Sequence, residues 1–197
     1  ARDALERLRE GNHRFVLEAG GADQNSETRR RALAAGQEPF AIILGCSDSR
    51  VPAEIVFDQG LGDLFVIRVA GNIVAPSQVG SVEFAAARFG TRLVVVLGHS
   101  NCGAITATLE ELGRPSRDQS RNLRSIVDRV RPSVEGLLAA GAGRMLDRVL
   151  HDLLDHALHA GELLFEVGEE RREIRAEVAL APRVPGILGS HVRLRRH

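Results

Sequence analysis

Lysine, tryptophan and tyrosine are missing from this 197-residue chain, and cysteine occurs only twice. Without lysine there is no Schiff-base chemistry and no phosphate-binding loop of the lysine-dependent kind. Without tryptophan and tyrosine, surfaces for stacking bases are poorly supplied, and a formal net charge of zero creates no global field for nucleic acid or an anionic membrane. No nucleic-acid partner is expected. No apolar run approaches the roughly 20 residues that cross a bilayer, so no membrane span is expected either. The opening stretch, Ala1 to Glu10, is charged and lacks the apolar core of a secretory signal. What remains, 44% hydrophobic and 26% charged residues, is the composition of one soluble globular domain.

The two cysteines, Cys46 and Cys102, allow a single disulfide. Both, however, follow apolar strand-like runs and sit among glycine and polar residues, where metal or catalytic groups collect. That placement favours a thiolate role in a reducing compartment, so a cytoplasmic location is expected.

Ala1 to Leu17 reads as an amphipathic helix, with Leu5, Leu8, Phe15 and Val16 near one face. It packs either on its own domain or on a partner subunit. Gly20 to Ser26 is turn-rich, and Thr28 to Ala35 is a short helix. Three near-continuous apolar runs follow, Phe40 to Leu44, Leu64 to Val69 and Leu93 to Leu97. Such runs suit strands buried on both faces of a parallel sheet. Helical patterns at Ser77 to Phe89 and Gly103 to Leu112 alternate with them, the signature of α/β crossovers. Asn122 to Arg131 looks helical and is expected to stop at Pro132. Met145 to Leu158 has the spacing of a further amphipathic helix. Leu163 to Val167 is expected as a fourth strand, with Glu173 to Leu180 pairing back on it as a hairpin arm. The fold class is therefore α/β, with a mostly parallel four-stranded central sheet flanked by helices. A helical arm (1–35) precedes the main domain (36–182), and a basic segment (183–197) reads as a solvated tail.

In open α/β sheets, ligands gather beyond the carboxyl ends of strands. Cys46 follows the first run; His99 and Cys102 follow the third. If those strands are neighbours, two thiolates and one imidazole converge, a set that suits zinc with a fourth position left open. Asp48 and Arg50 lie two and four residues beyond Cys46, so an acceptor and the guanidinium that holds it stand beside one ligand. A surface turn with an incidental ion pair is the alternative for these two residues. His151, His156 and His159, beside Asp152 and Asp155, read as a solvated helix face rather than a second metal site. Gly60-Leu61-Gly62 lacks the pattern of a phosphate loop.

The chain resembles the β-class carbonic anhydrases. The residues that carry this are Gly36 to Phe40, Cys46-Ser47-Asp48-Ser49-Arg50-Val51-Pro52, Phe57 through Asn72, Gly80 to Phe84, and Gly98-His99-Ser100-Asn101-Cys102-Gly103-Ala104, in family order and spacing. The resemblance implies reversible hydration of carbon dioxide to bicarbonate and a proton by a zinc-bound hydroxide. It implies Cys46, His99 and Cys102 as ligands of Zn2+, with Asp48 orienting the hydroxide and Arg50 holding Asp48 off the metal. It also implies Gln37, Phe65, Phe84 and Gly103 in a narrow apolar pocket at the interface of a homodimer or dimer of dimers. Many relatives carry tyrosine where Phe84 stands, so a hydroxyl is missing there. Beyond about Leu112 the likeness fades, and the Tyr-Asp-Leu-type closing motif is absent. Two alternatives to carbonic anhydrase activity are a zinc hydrolase of carbon disulfide or carbonyl sulfide, and a non-catalytic zinc-binding interaction protein. The intact Asp48–Arg50 pair argues against the latter.

Overall fold

The computed structural model describes residues 1–20, 26–113 and 120–139, together with the backbone of three strands at 165–167, 170–172 and 175–180. In chain order the elements are α1 (Arg2–Val16), α2 (Glu27–Ala32), β1 (Ala41–Gly45), α3 (Ala53–Val56), β2 (Leu64–Arg68), α4 (Pro76–Phe89), β3 (Leu93–Gly98), α5 (Gly103–Gly113), α6 (Arg121–Ala139), β4 (Phe165–Val167), β5 (Glu170–Arg172) and β6 (Arg175–Leu180). The four-stranded sheet runs β2-β1-β3-β6 with every pairing parallel, and β4 and β5 form a separate antiparallel hairpin.

The apolar runs become strands because both faces of the sheet are covered. Every residue of β1 and β3 is buried. Ala41, Ile43, Leu93, Val95 and Leu97 point to one side, where Leu5 and Leu8 of α1 and Ala53 and Phe57 close the core. Ile42, Leu44, Val94 and Val96 point to the other, against Val82, Ala85 and Ala86 of α4. That is the period-two division a parallel central strand makes between its two faces. A third cluster joins the carboxyl ends of the strands to α5 and α6: Cys46, Cys102, Ile105, Val130 and Val134.

Local chemistry sets the ends of several helices. Ser26 caps α2 by accepting from the Arg29 amide at 3.2 Å. Pro76 opens α4, and Gly90, in the left-handed region at φ 68°, closes it. Gly11 lies inside α1, where a Cβ would collide with the carbonyl of Phe57, so glycine is what lets α1 press against the end of α3. Arg14 and Asn12 then tie α1 to Asp58 and to the Val56 carbonyl. The first helix thus packs on its own domain. Its buried face is Leu5, Leu8 and Gly11, while Val16, read from the sequence as part of that face, is exposed.

Two details differ from the sequence reading. The helix beginning near Asn122 does not stop at Pro132; it runs through it to Ala139. Proline costs a backbone bond to the preceding turn, about 3 kcal/mol in a helix interior. Val127, Val130 and Val134, all buried and spaced for one helical face, hold α6 against its neighbours on both sides of the proline. The sheet's fourth strand is not Leu163 to Val167. Phe165–Val167 pairs with the charged Glu170–Arg172, and Arg175–Leu180 lies parallel to β3. The alternation of Ala176, Val178 and Leu180 suits an edge strand. The segment holding His151, His156 and His159, and the tail 183–197, lie outside the described residues.

Replacing Leu8, which is 1% exposed, by alanine is expected to lower stability by about 2–5 kcal/mol in urea unfolding. A loss below about 1 kcal/mol would show that α1 adds little to its own domain's core.

Candidate metal centre

Parallel pairing of β1 with β3 places Gly45 opposite Leu97, so the loops that follow the two strands leave the sheet side by side. Cys46 comes from the first loop, His99 and Cys102 from the second. One ligand atom from each lies within 4.8 Å of the others, and all three residues are buried. The two sulfurs are 4.0 Å apart, far beyond the roughly 2.05 Å of a disulfide, and both cysteines are free. Two thiolates on one tetrahedral zinc, each about 2.3 Å from it, stand about 3.8 Å apart, close to the spacing seen here.

The histidine supplies an independent test of fit. Its Nδ1 is 3.0 Å from the Ser100 carbonyl, which can only accept, so Nδ1 carries the proton. Nε2 is then left with a lone pair. Among the described residues, it is the buried side-chain nitrogen or oxygen that has no hydrogen-bond partner. A buried orphan acceptor costs about 1–3 kcal/mol unless something coordinates it. Two soft thiols and an imidazole lone pair in one buried cluster fit a zinc-like cation.

Electrostatics separates the two thiols. Cys46 is held well below its ordinary value, at about 4, chiefly by the hydrogen bond from Cys102; the backbone amides of Gly71 and Asp48 add to this against burial. Cys102 is pushed up, first by the same hydrogen bond and then by burial. One proton is shared, with Cys46 as the thiolate. The amides of Ala104 and Ile105, in the first turn of α5, act the other way on Cys102, so a helix start stands ready to stabilise its charge.

Asp48 sits beside this set, its Oδ2 3.9 Å from His99 Nε2. Arg50 grips the carboxylate with Nε on Oδ1 at 2.8 Å and Nη2 on Oδ2 at 2.7 Å, while its own amide donates to Oδ1 at 3.0 Å. Nη2 also donates to the Asn101 carbonyl at 3.0 Å, linking the two ligand-bearing loops. Those bonds hold the Asp48 carboxyl down at about 2, so it stays ionised until the pH falls that far.

Three supporting residues escaped the sequence reading. Arg68, at the end of β2, donates to the carbonyls of Cys46 and Asp48. Gly71, with φ 70°, donates its amide to Cys46 Sγ at 3.4 Å, and a Cβ there would lie 2.9 Å from Ala104 Cβ. Asn72 reaches the Leu97 carbonyl at 2.7 Å. A lone charge inside an apolar strand and the Gly71-Asn72 pair were the signals available.

The expected pocket residues do not gather here within one chain. Gln37 is exposed and precedes β1, at the opposite end of a strand roughly 16 Å long. Phe65 pairs with Ile42, three positions short of the end of β2. It clusters with Phe84 and Phe89 at ring-centre distances of 6.3 and 5.9 Å, on the α4 side, where Phe84 is 55% exposed. Gly103 is exposed, and a Cβ built on it meets nothing within 4 Å, so this chain alone does not demand glycine there.

A family model described as carbonic anhydrase matches residues 41–157. Carbonic anhydrase 2 of Mycobacterium tuberculosis is 47% identical over 131 residues, 66% of this chain and 63% of that protein. A carbonic anhydrase of Mycolicibacterium smegmatis is 45% identical over 140 residues, 71% and 66% of the two chains. The match thus spans slightly less than two thirds of these relatives' own length. The crystal structure of the Aspergillus fumigatus β-carbonic anhydrase CafA shares the fold, with a TM-score of 0.63 at 24% identity over 91% of this chain and 84% of that one.

In metal-free protein near neutral pH, ultraviolet absorbance is expected to report one thiolate per chain, lost as the pH falls through about 4. Zinc addition near pH 7 should release about one proton, that of Cys102, measured by titration in weak buffer. Release of two protons would show that both thiols are protonated beforehand.

Proposed function

Because the chain belongs to the β-class carbonic anhydrase family, we propose that it is a zinc enzyme interconverting carbon dioxide and bicarbonate. The observation that carries this reading is the buried convergence of Cys46, Cys102 and the orphaned His99 Nε2 beside a carboxylate clamped by arginine. Cys46, His99 and Cys102 would hold the metal. When bound, zinc supplies Lewis acidity at the position the three protein ligands leave open.

The chain's own groups do the rest. Asp48, ionised across the working pH range, accepts a hydrogen bond from the attacking water and turns its lone pair toward carbon dioxide. Arg50 neutralises Asp48 and keeps its carboxylate from swinging onto the metal as a fourth ligand. Carbon dioxide and water give bicarbonate and one proton, and the proton leaves to buffer. Because Asp48 does not titrate in the neutral range, any pH dependence of activity there arises from another group.

The substrate pocket requires more than one copy. Gln37, Phe65 and Phe84 lie too far along the chain's own sheet to line its metal centre. Phe84, exposed and packed against the half-buried Phe65 and Phe89, offers an aromatic surface that a second copy can cover. We therefore assign Gln37, Phe65 and Phe84 to the partner's pocket in a homodimer, itself able to pair into a dimer of dimers. The two free cysteines suit a reducing compartment such as the cytoplasm. No helix among the described residues is long and apolar enough to cross a membrane.

Asp48→Asn and Arg50→Ala, loaded with zinc, should keep the metal and lose about 100-fold or more of kcat in stopped-flow carbon dioxide hydration. Wild-type rates in either variant would remove Asp48 and Arg50 from the mechanism, and an inactive zinc-loaded parent would remove the activity. Phe84→Arg should sediment as a smaller species at micromolar concentration and lose activity with its zinc retained. Unchanged sedimentation and rate would place the interface elsewhere.

A further inference from the structure

Arg68 is a charged residue at the end of β2, and it ligates nothing. It pairs with Gly45 across the sheet, so its side chain leaves the strand directly beside the start of the Cys46 loop. Its Nε donates to the Cys46 carbonyl at 2.8 Å, and its Nη2 to the Asp48 carbonyl at 2.6 Å. The two acceptors are two residues apart, and the planar guanidinium spans them with donors in a fixed fork. The Cys46–Ser47 and Asp48–Ser49 peptide planes are thereby oriented at once. The Asp48 carbonyl also accepts from the Val51 amide at 3.2 Å.

Asp48 is consequently held twice, its backbone by Arg68 and its carboxylate by Arg50. Arg50 is carried on the same loop as Asp48 and is tied to the Asn101 carbonyl of the other ligand-bearing loop, so it joins loop to loop and not loop to sheet. Arg68 is anchored in the sheet. We infer that Arg68 is a positioning residue that fixes the spacing between the metal ligand Cys46 and the carboxylate of Asp48. This rests on the reading that Asp48 orients the attacking water. Misplacing such a group by about 1 Å can cost about 100-fold in rate.

The test uses the full chain, loaded separately with zinc and with cobalt(II), as wild type, Arg68→Met, Arg68→Lys and Arg14→Met. Arg14 is a control that donates to Asp58, away from the metal centre. In Arg68→Met, kcat should fall by about 10–100-fold with KM within about 3-fold, zinc should remain stoichiometric, and the cobalt–thiolate and d–d bands should shift. Arg68→Lys should recover part of the loss, because one ammonium reaches one carbonyl. Arg14→Met should lose stability while keeping wild-type kcat and spectrum. Wild-type rate and bands in Arg68→Met overturn the inference, as does an equal loss in Arg14→Met. If Arg68→Met does not fold, Arg68→Lys decides: kcat and bands equal to wild type reject the paired hold. An inactive wild type defeats the functional reading instead, while the cobalt bands still report whether Arg68 shapes the Cys46 site.

Discussion

Two thiols and an imidazole nitrogen are buried within 4.8 Å of one another, and no other group in the described protein satisfies the nitrogen. Desolvating such groups is unfavourable unless they are partnered, and the thiols here meet the problem only halfway, by sharing a proton. A cation that accepts all three donors resolves it. Much of the surrounding structure serves to keep the three atoms at that spacing.

The sheet does most of this work. Parallel pairing of β1 and β3 brings two loops out side by side, although Cys46 and Cys102 lie 56 positions apart in the chain. Neither loop is left to itself. Asn72 binds the end of β3, the Gly71 amide meets the Cys46 sulfur, Arg50 reaches across to Asn101, and Arg68 grips the Cys46 loop from β2. Three of these four contacts come from Arg68 to Asn72, a segment that contributes no ligand. Close packing explains the narrow tolerance there: Ala104 and Val130 already fill the space that a side chain at Gly71 would need.

The central strands, the two flanking helices Pro76–Phe89 and Gly103–Gly113, and the convergence of Cys46, His99 and Cys102 beside an Asp48–Arg50 pair were legible in the sequence. They rest on local signals: buried β-branched runs, helical periodicity, and short motifs whose members lie within a few residues of each other. Pro132 misled because helix-breaking is a local penalty, whereas burial of Val130 and Val134 against α5 is a tertiary gain. The fourth strand misled because short apolar segments such as Phe165–Val167 and Arg175–Leu180 differ little in pattern, and only the vacant side of β3 selects between them.

Residue types and spacing by themselves determined which atoms can bind a metal, Cys46, His99 and Cys102, and which carboxylate and guanidinium accompany them, because those capacities belong to side-chain chemistry. Tertiary structure decided what distance along the chain conceals. It placed the three donors in one buried cluster, made Arg68 the brace of a loop 20 residues away in sequence, and left Gln37, Phe65 and Phe84 away from the metal centre of their own chain. The reason is geometric: a strand carries its two ends roughly 3.3 Å further apart with each residue. Groups at opposite ends of one sheet therefore do not meet within a single chain.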